Sequence, residues 1–206
     1  MSAEDRPQIY LVTPPAIDLD LFPARLARVL DAVEIACLRL ALAGQDEDML
    51  GRAADTLRMI AHERDVAVVI DTHLALAERH GLDGVHLLDS ARSVRAARKA
   101  LGADAIVGAW CGMSRDAGMA AGEAGADYVA FGPAGATALG SGAKAERDLF
   151  AWWSEMIEVP VVAEGALTSD LVADLAPVTD FFAIGTEIWS ADDPAHALQA
   201  LIAPLG

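Results

Sequence analysis

The chain has 206 residues, 15 of them Lys or Arg against 31 Asp or Glu, for a formal net charge of −16 on a composition that is 54% hydrophobic and 5% aromatic. A chain of this length buries roughly 70% of the surface its unfolded form exposes, which is enough for one core without a disulfide or structural metal. The acidic balance, with Lys99 and Lys144 the only lysines, argues against nucleic acid as a partner. Cys37 and Cys111 fit no metal-ligand spacing. The opening residues lack a basic stretch followed by an apolar one, and no apolar run approaches the roughly 20 residues that cross a bilayer, so the expectation is a cytoplasmic protein without a membrane partner. No linker-like segment interrupts residues 1–206, which read as one domain.

Short apolar runs alternate with Ala/Leu/Arg-rich stretches of helical period, the mark of successive βα units on a parallel sheet. The first run is Ile9–Thr13, followed by a helix over 21–32. A second strand over 34–42 carries Arg39, and a helix follows over 48–64. The third strand is Val66–Asp71, with a helix to His80 and Gly81 as its stop. The fourth is Gly84–Asp89 with a helix over 92–101, and the fifth Ala105–Trp110 with a helix over 117–124. The sixth is Tyr128–Phe131, and the longest irregular stretch follows, from Gly132 to about Lys144. A helix over 150–157, a seventh strand Val159–Ala163, an eighth strand Phe181–Ile184 and a last helix over 194–202 complete the chain. Eight units in 206 residues is about 26 each, which predicts an α/β chain closed as a single-domain (β/α)₈ TIM barrel. An open doubly wound sheet is the alternative, and the even spacing favours closure.

In such a barrel reactive groups come from the C-terminal strand ends and the loops after them. In order, these carry Thr13, Arg39, Asp71-Thr72-His73, His86 with Asp89, Trp110-Cys111, Gly132-Pro133, Glu164-Gly165 and Gly185-Thr186-Glu187. Phosphate on such barrels rests on backbone N–H groups after strands seven and eight. Gly165 with Ala166, and Gly185 with Thr186, occupy those places, so a small phosphorylated ligand is expected there, with Gly132 nearby on the sixth strand's loop.

Three stretches carry a resemblance: Leu82–Leu87 (LDGVHL), Glu123–Pro133 (EAGADYVAFGP) and Val159–Gly165 (VPVVAEG). At these intervals the chain resembles the thiamine phosphate synthase/TenI family. The resemblance implies a barrel, often a homodimer, that joins a pyrimidine diphosphate to a thiazole phosphate with Mg²⁺, or in the TenI branch isomerises a thiazole phosphate. Several positions depart from that pattern. The family's Asn-Asp pair after strand three reads Asp71-Thr72, and its Gly-Gln-Glu-Asp run reads Leu88-Asp89-Ser90-Ala91, so both metal aspartates are displaced or missing. Of the Gln-x-Arg-x-Lys set that receives the diphosphate, only Arg39 is present. The Ser and His after strand five fall on Trp110 and Gly112. The lysine of the sixth loop falls near Gly140, with Lys144 the nearest substitute, and the phosphate Gly-Gly is Gly165-Ala166. The expectation is a family barrel with a degenerate site and altered or lost synthase activity.

Individual residues keep two readings each. Asp71 and Asp89 are candidates for a shifted Mg²⁺ site, or polar strand-end residues, with Asp89 read as the start signal of the next helix. His86 is either an inward acid/base group or a hydrogen-bonded core histidine. Arg39 binds an anion, or pairs with Asp71 or another carboxylate. Glu164 is the base of a sugar-phosphate epimerase, with His86 or Asp71 as its partner, or a solvated residue turned to the surrounding helices; the sequence favours the second. Trp110 is an apolar platform for a ring or a plug of the mouth. A non-catalytic regulatory binding protein is the third functional class. The small-residue stretch from Pro133 to Ala143 reads as a lid or as plain connection.

Overall fold

The structure is a computed structural model, and it describes residues 6–44, 46–136 and 142–206. Eight parallel strands close in sequence order: β1 (Gln8–Val12), β2 (Cys37–Leu40), β3 (Ala67–Asp71), β4 (Gly84–Leu87), β5 (Ile106–Gly112), β6 (Tyr128–Phe131), β7 (Val161–Glu164) and β8 (Phe181–Ile184), with β8 pairing back onto β1. The helices are α1 (Phe22–Ala32), α2 (Glu47–His62), α3 (Leu74–Arg79), α4 (Val94–Leu101), α5 (Arg115–Glu123), α6 (Arg147–Met156), α7 (Ser169–Leu175), α8 (Thr186–Trp189) and α9 (Pro194–Ile202). Among the described residues no helix is long and apolar enough to cross a membrane.

The period-two alternation of the strands sorts their side chains into two cores. One face of each strand, with Leu11, Leu38, Val68, Val85, Val107, Val129 and Ile184, packs outward against the helices. The other face fills the barrel with Tyr10, Val12, Cys37, Val69, Tyr128, Ala130, Val162 and Ala183. Register is pinned at the N-terminal end of the barrel by three aspartates that precede even-numbered strands. Asp83, Asp127 and Asp180 each donate a backbone N–H to the carbonyl of Val68, Val107 or Val161. Each also accepts that same residue's N–H on its carboxylate, at 2.6, 2.7 and 2.7 Å. A one-residue slip would break both bonds of a pair and turn the inner face outward.

The expected strands are all present, with shifted ends. β7 begins at Val161 because Pro160 has no N–H for the ladder, while its carbonyl accepts from Val129, and so Glu164 is the last residue of the strand. β5 runs on to Gly112 through an irregular register with β6 between Trp110 and Gly112. α7 and α8 lie where no helix was expected. The signal for α7 is Thr168, whose hydroxyl accepts from Leu171 N–H as an N-cap.

Candidate active site

At the C-terminal mouth, Arg39 is the penultimate residue of β2, Asp71 ends β3 and Glu164 ends β7, all on inward positions of their strands. Arg39 is 5% exposed, yet its guanidinium is fully engaged on one side. Its Nη1 and Nη2 donate to the two Glu164 oxygens at 2.9 and 2.6 Å, a bidentate pair. Its Nε lies 3.3 Å from Asp71 Oδ1, close enough for ionic attraction but not aligned for a hydrogen bond, so both atoms are left unpartnered. Burial opposes the charge on Arg39, but Glu164, with Tyr10 and Asp71 behind it, overcomes this and raises its pKa. Burial pushes the Asp71 carboxyl up to about 6, against the pull of Arg39 and with the repulsion of Glu164. The expectation that Glu164 faces the helices is therefore wrong: a strand residue two positions after inward Val162 must also point inward, and the guanidinium there compensates its desolvation. Of the two readings of Arg39, the pairing with Asp71 and a second carboxylate is the one present.

His86 is also inward and has no solvent exposure. In the rows across the sheet it sits opposite Gly108, and Gly108 opposite Tyr128. A Cβ at Gly108 would collide with the Tyr128 ring, so glycine there lets the His86 and Tyr128 rings stack at 5.7 Å and 16°. The His86 Nδ1 is 2.9 Å from Tyr128 Oη, which is 2.6 Å from Tyr10 Oη. The core-histidine reading thus holds for Nδ1, while Nε2 is buried without a partner. Burial, and then the Arg39 charge, lower the His86 pKa and keep the ring neutral.

Asp89 is not brought to Asp71's carboxylate cluster. It is exposed, and its carboxylate accepts the Ser93 hydroxyl at 2.6 Å while its carbonyl accepts Arg92 N–H, so it organises the turn into α4. Among the described residues no three His, Cys, Asp or Glu side chains converge as metal ligands. A cation beside Asp71 would also sit against the Arg39 guanidinium, so this donor set does not fit Mg²⁺.

The loops after β6 and β7 lie against each other. Ala134 N–H donates to Glu164 O and Gly135 N–H to Gly165 O, both at 2.9 Å. Side chains at Gly132 or Gly135 would strike the backbone of Glu164 or Ala166, and Gly165 and Ala166 both take left-handed φ, 91° and 52°. After β8, Gly185 is buried and Thr186 exposed. The amides of these two loops already hold an anion of this chain: Glu187 accepts from Gly185 N–H at 2.9 Å and from Leu167 N–H at 3.2 Å. Sequence reasoning placed Glu187 at the end of the eighth strand but missed its role. An acidic residue two positions past a strand-end glycine, at the start of a short helix, is the signal that could have found it. Lys144 pairs with Glu146 at the surface, 3.5 Å apart. Trp110 is half-buried against the inner core, and residues 137–141 of the expected lid lie outside the described residues.

The model of the family described as thiamine monophosphate synthase matches residues 9–187. The chain belongs to this family. It is 41% identical over 187 residues to the thiamine-phosphate synthase of Rhodospirillum centenum, covering 89% of each protein. It is 40% identical over 202 residues to that of Erythrobacter litoralis, covering 94% of this chain and 92% of that protein. Among solved structures, a thiamine phosphate pyrophosphorylase from Pyrococcus furiosus superimposes with a TM-score of 0.83, covering 96% of this chain and 95% of that one. At 20% identity it shares the fold. Within the thiamine monophosphate synthase family, then, this member carries Arg39 and His86 in the barrel, with the carboxylates Asp71 and Glu164 against Arg39 and Glu187 on the amides of the loops after β7 and β8.

Proposed function

We propose that this chain binds a small phosphorylated ligand at the barrel mouth and that its synthase turnover is altered or lost. The observation that carries the reading is the bidentate pair of Arg39 with Glu164. The family resemblance assigns that arginine to an incoming diphosphate, and here both outer nitrogens are spent on an internal carboxylate. A diphosphate would meet Glu164 and Asp71 beside the one guanidinium, and repulsion in a partly buried site is strong. Mg²⁺ would ordinarily relieve such repulsion, but the side chains present do not fit it, and no step is assigned to it.

The phosphate half of the reading is supported by Glu187. Amides that converge on one carboxylate from two loops also present donors for a phosphate oxygen, once Glu187 rotates away. Gly165, Ala166, Gly185 and Thr186 then border the phosphate, with Gly132 keeping the neighbouring loop close. A homodimer and a cytoplasmic location accompany this reading as what family membership suggests. A second reading, isomerisation of a phosphorylated sugar or heterocycle, is favoured by Asp71, whose carboxyl near 6 can hold or release a proton at neutral pH. Isothermal titration with a thiazole phosphate and with inorganic phosphate tests the binding claim. Saturable binding weakened by Gly185→Val supports it, and no heat from either ligand refutes it.

A further inference from the structure

Three polar atoms in the barrel are buried and unpartnered: Arg39 Nε, Asp71 Oδ1 and His86 Nε2. They are neighbours by construction. Arg39 Nε and Asp71 Oδ1 are 3.3 Å apart, and Asp71 is paired with His86 across β3 and β4 on the same face. Neighbouring strands place such side chains about 5 Å apart at Cβ. Orphaned buried groups cost free energy unless something satisfies them, so this trio calls for an occupant.

The hydrogen count says what kind. Arg39 Nε always carries a proton and donates, and ionised Asp71 accepts. The role of His86 Nε2 is set from behind by the tyrosines. If Tyr10 donates to Tyr128 and Tyr128 donates to His86 Nδ1, both hydroxyl protons are used and the ring proton sits on Nε2. The reverse direction would leave the Tyr10 proton facing only the Cys37 thiol, a weak acceptor. Both directions make the same two bonds, but only the first pairs both hydroxyl protons with strong acceptors, so it is the favoured arrangement once Nε2 has an acceptor. His86 Nε2 is then a donor, and the trio offers two donors and one acceptor.

We infer that Arg39 Nε, His86 Nε2 and Asp71 Oδ1 form a subsite for a single hydroxyl oxygen, with Tyr128 and Tyr10 as positioning residues that hold the His86 proton on Nε2. One hydroxyl accepts from Arg39 and His86 and donates to Asp71, which satisfies all three. The occupant is an alcohol of a bound small molecule, or one water in its place. His86 in this arrangement is a neutral donor and does not act as a base through Nε2, which narrows the acid/base role expected of it.

Nitrogen-15 NMR of the full chain labelled at histidine tests the proton's position, with the His86 signals assigned by their loss in His86→Gln. Expected is an Nε2 of N–H type and an Nδ1 of hydrogen-bonded, unprotonated type. Tyr128→Phe removes the partner of Nδ1 and should move the Nδ1 signal and mix the tautomers, which a mere packing role would not do. An Nε2 that lacks the proton in the wild-type chain, or a tautomer unmoved by Tyr128→Phe, overturns the assignment. Crystals grown with no added polyol test the occupant. An isolated oxygen within about 3.2 Å of all three atoms identifies water, and density that continues into the mouth identifies a carried alcohol; either supports the subsite. A resolved barrel interior with no oxygen on these atoms overturns it.

Discussion

Removing one half of the Arg39–Glu164 pair should cost far more than removing both. Glu164→Ala leaves a guanidinium that is 5% exposed with only the misaligned Asp71 carboxylate, 3.3 Å from Nε, as compensation. Breaking a buried pair in this way costs about 3–5 kcal/mol, and the remaining Asp71 contact places this one near the lower end, about 3 kcal/mol. At a urea m-value of about 2–3 kcal/mol/M that is a fall in midpoint of roughly 1–1.5 M. Arg39→Met with Glu164→Leu replaces both charges by apolar volume next to Val12, Val69 and Ala130, and should return to within about 1 kcal/mol of the wild-type chain. The double-mutant cycle, closed with Arg39→Met and Glu164→Leu as its single variants and read by circular dichroism in urea at unchanged m, should then give a coupling of at least about 2 kcal/mol. A Glu164→Ala midpoint equivalent to less than about 0.5 kcal/mol would refute the reasoning, because the pair would then be a solvated one.

Other substitutions test other contacts. Gly108→Ala drives a methyl into the Tyr128 ring and should destabilise by about 1–3 kcal/mol while broadening the His86 ring signals; unchanged stability would mean that the ring stack is not held by this glycine. Glu187→Ala frees the amides of Gly185 and Leu167, so it should lower the melting temperature slightly and tighten inorganic phosphate binding in titration calorimetry; weaker phosphate binding would mean that Glu187 helps to build the site. Asp71 has a folded pKa of about 6, above its unfolded value of 3.8, so its contribution to stability is full below about pH 4 and is lost as pH rises through 6. Asp71→Asn should therefore gain on the wild-type chain by up to about 3 kcal/mol between pH 4 and pH 8 in urea unfolding, and a constant difference across that range would contradict the burial of Asp71. His86 has the opposite sign: its lowered pKa gives stability that is present above about pH 6.5 and lost as pH falls.

The barrel was legible because its evidence is local and repeated. Each strand is a short β-rich run ended by a turn residue, and eight of them at even spacing leave few other ways to close. The helix α7 was not legible, since Leu171, Val172 and Leu175 give too short a period to stand out beside the strands on either side. The site divided along the same line. That Arg39, Asp71, His86 and Glu164 lie at or near strand ends could be read directly, but whether Glu164 faces the barrel or the helices depends on the in-and-out phase of β7, which a one-residue error reverses. The pairing of Arg39 with Glu164 spans 125 residues of sequence, and the closure of β2 and β7 around one barrel brings them together. The role of Glu187 was hidden for a related reason: one of its targets, the Leu167 amide, belongs to a different loop, 20 residues earlier.

The central proposal is that synthase turnover at this mouth, with Arg39 held by Glu164, is altered or lost. The most direct measurement incubates the purified chain with the pyrimidine diphosphate, the thiazole phosphate and Mg²⁺, and follows thiamine phosphate by chromatography beside the Rhodospirillum centenum relative as control. The account predicts product that is absent or forms far more slowly than with the control under the same conditions. Product that forms at a comparable rate and vanishes with a chelator would contradict it, and would mean that Asp71 releases Arg39 to assemble a metal site when both substrates are bound.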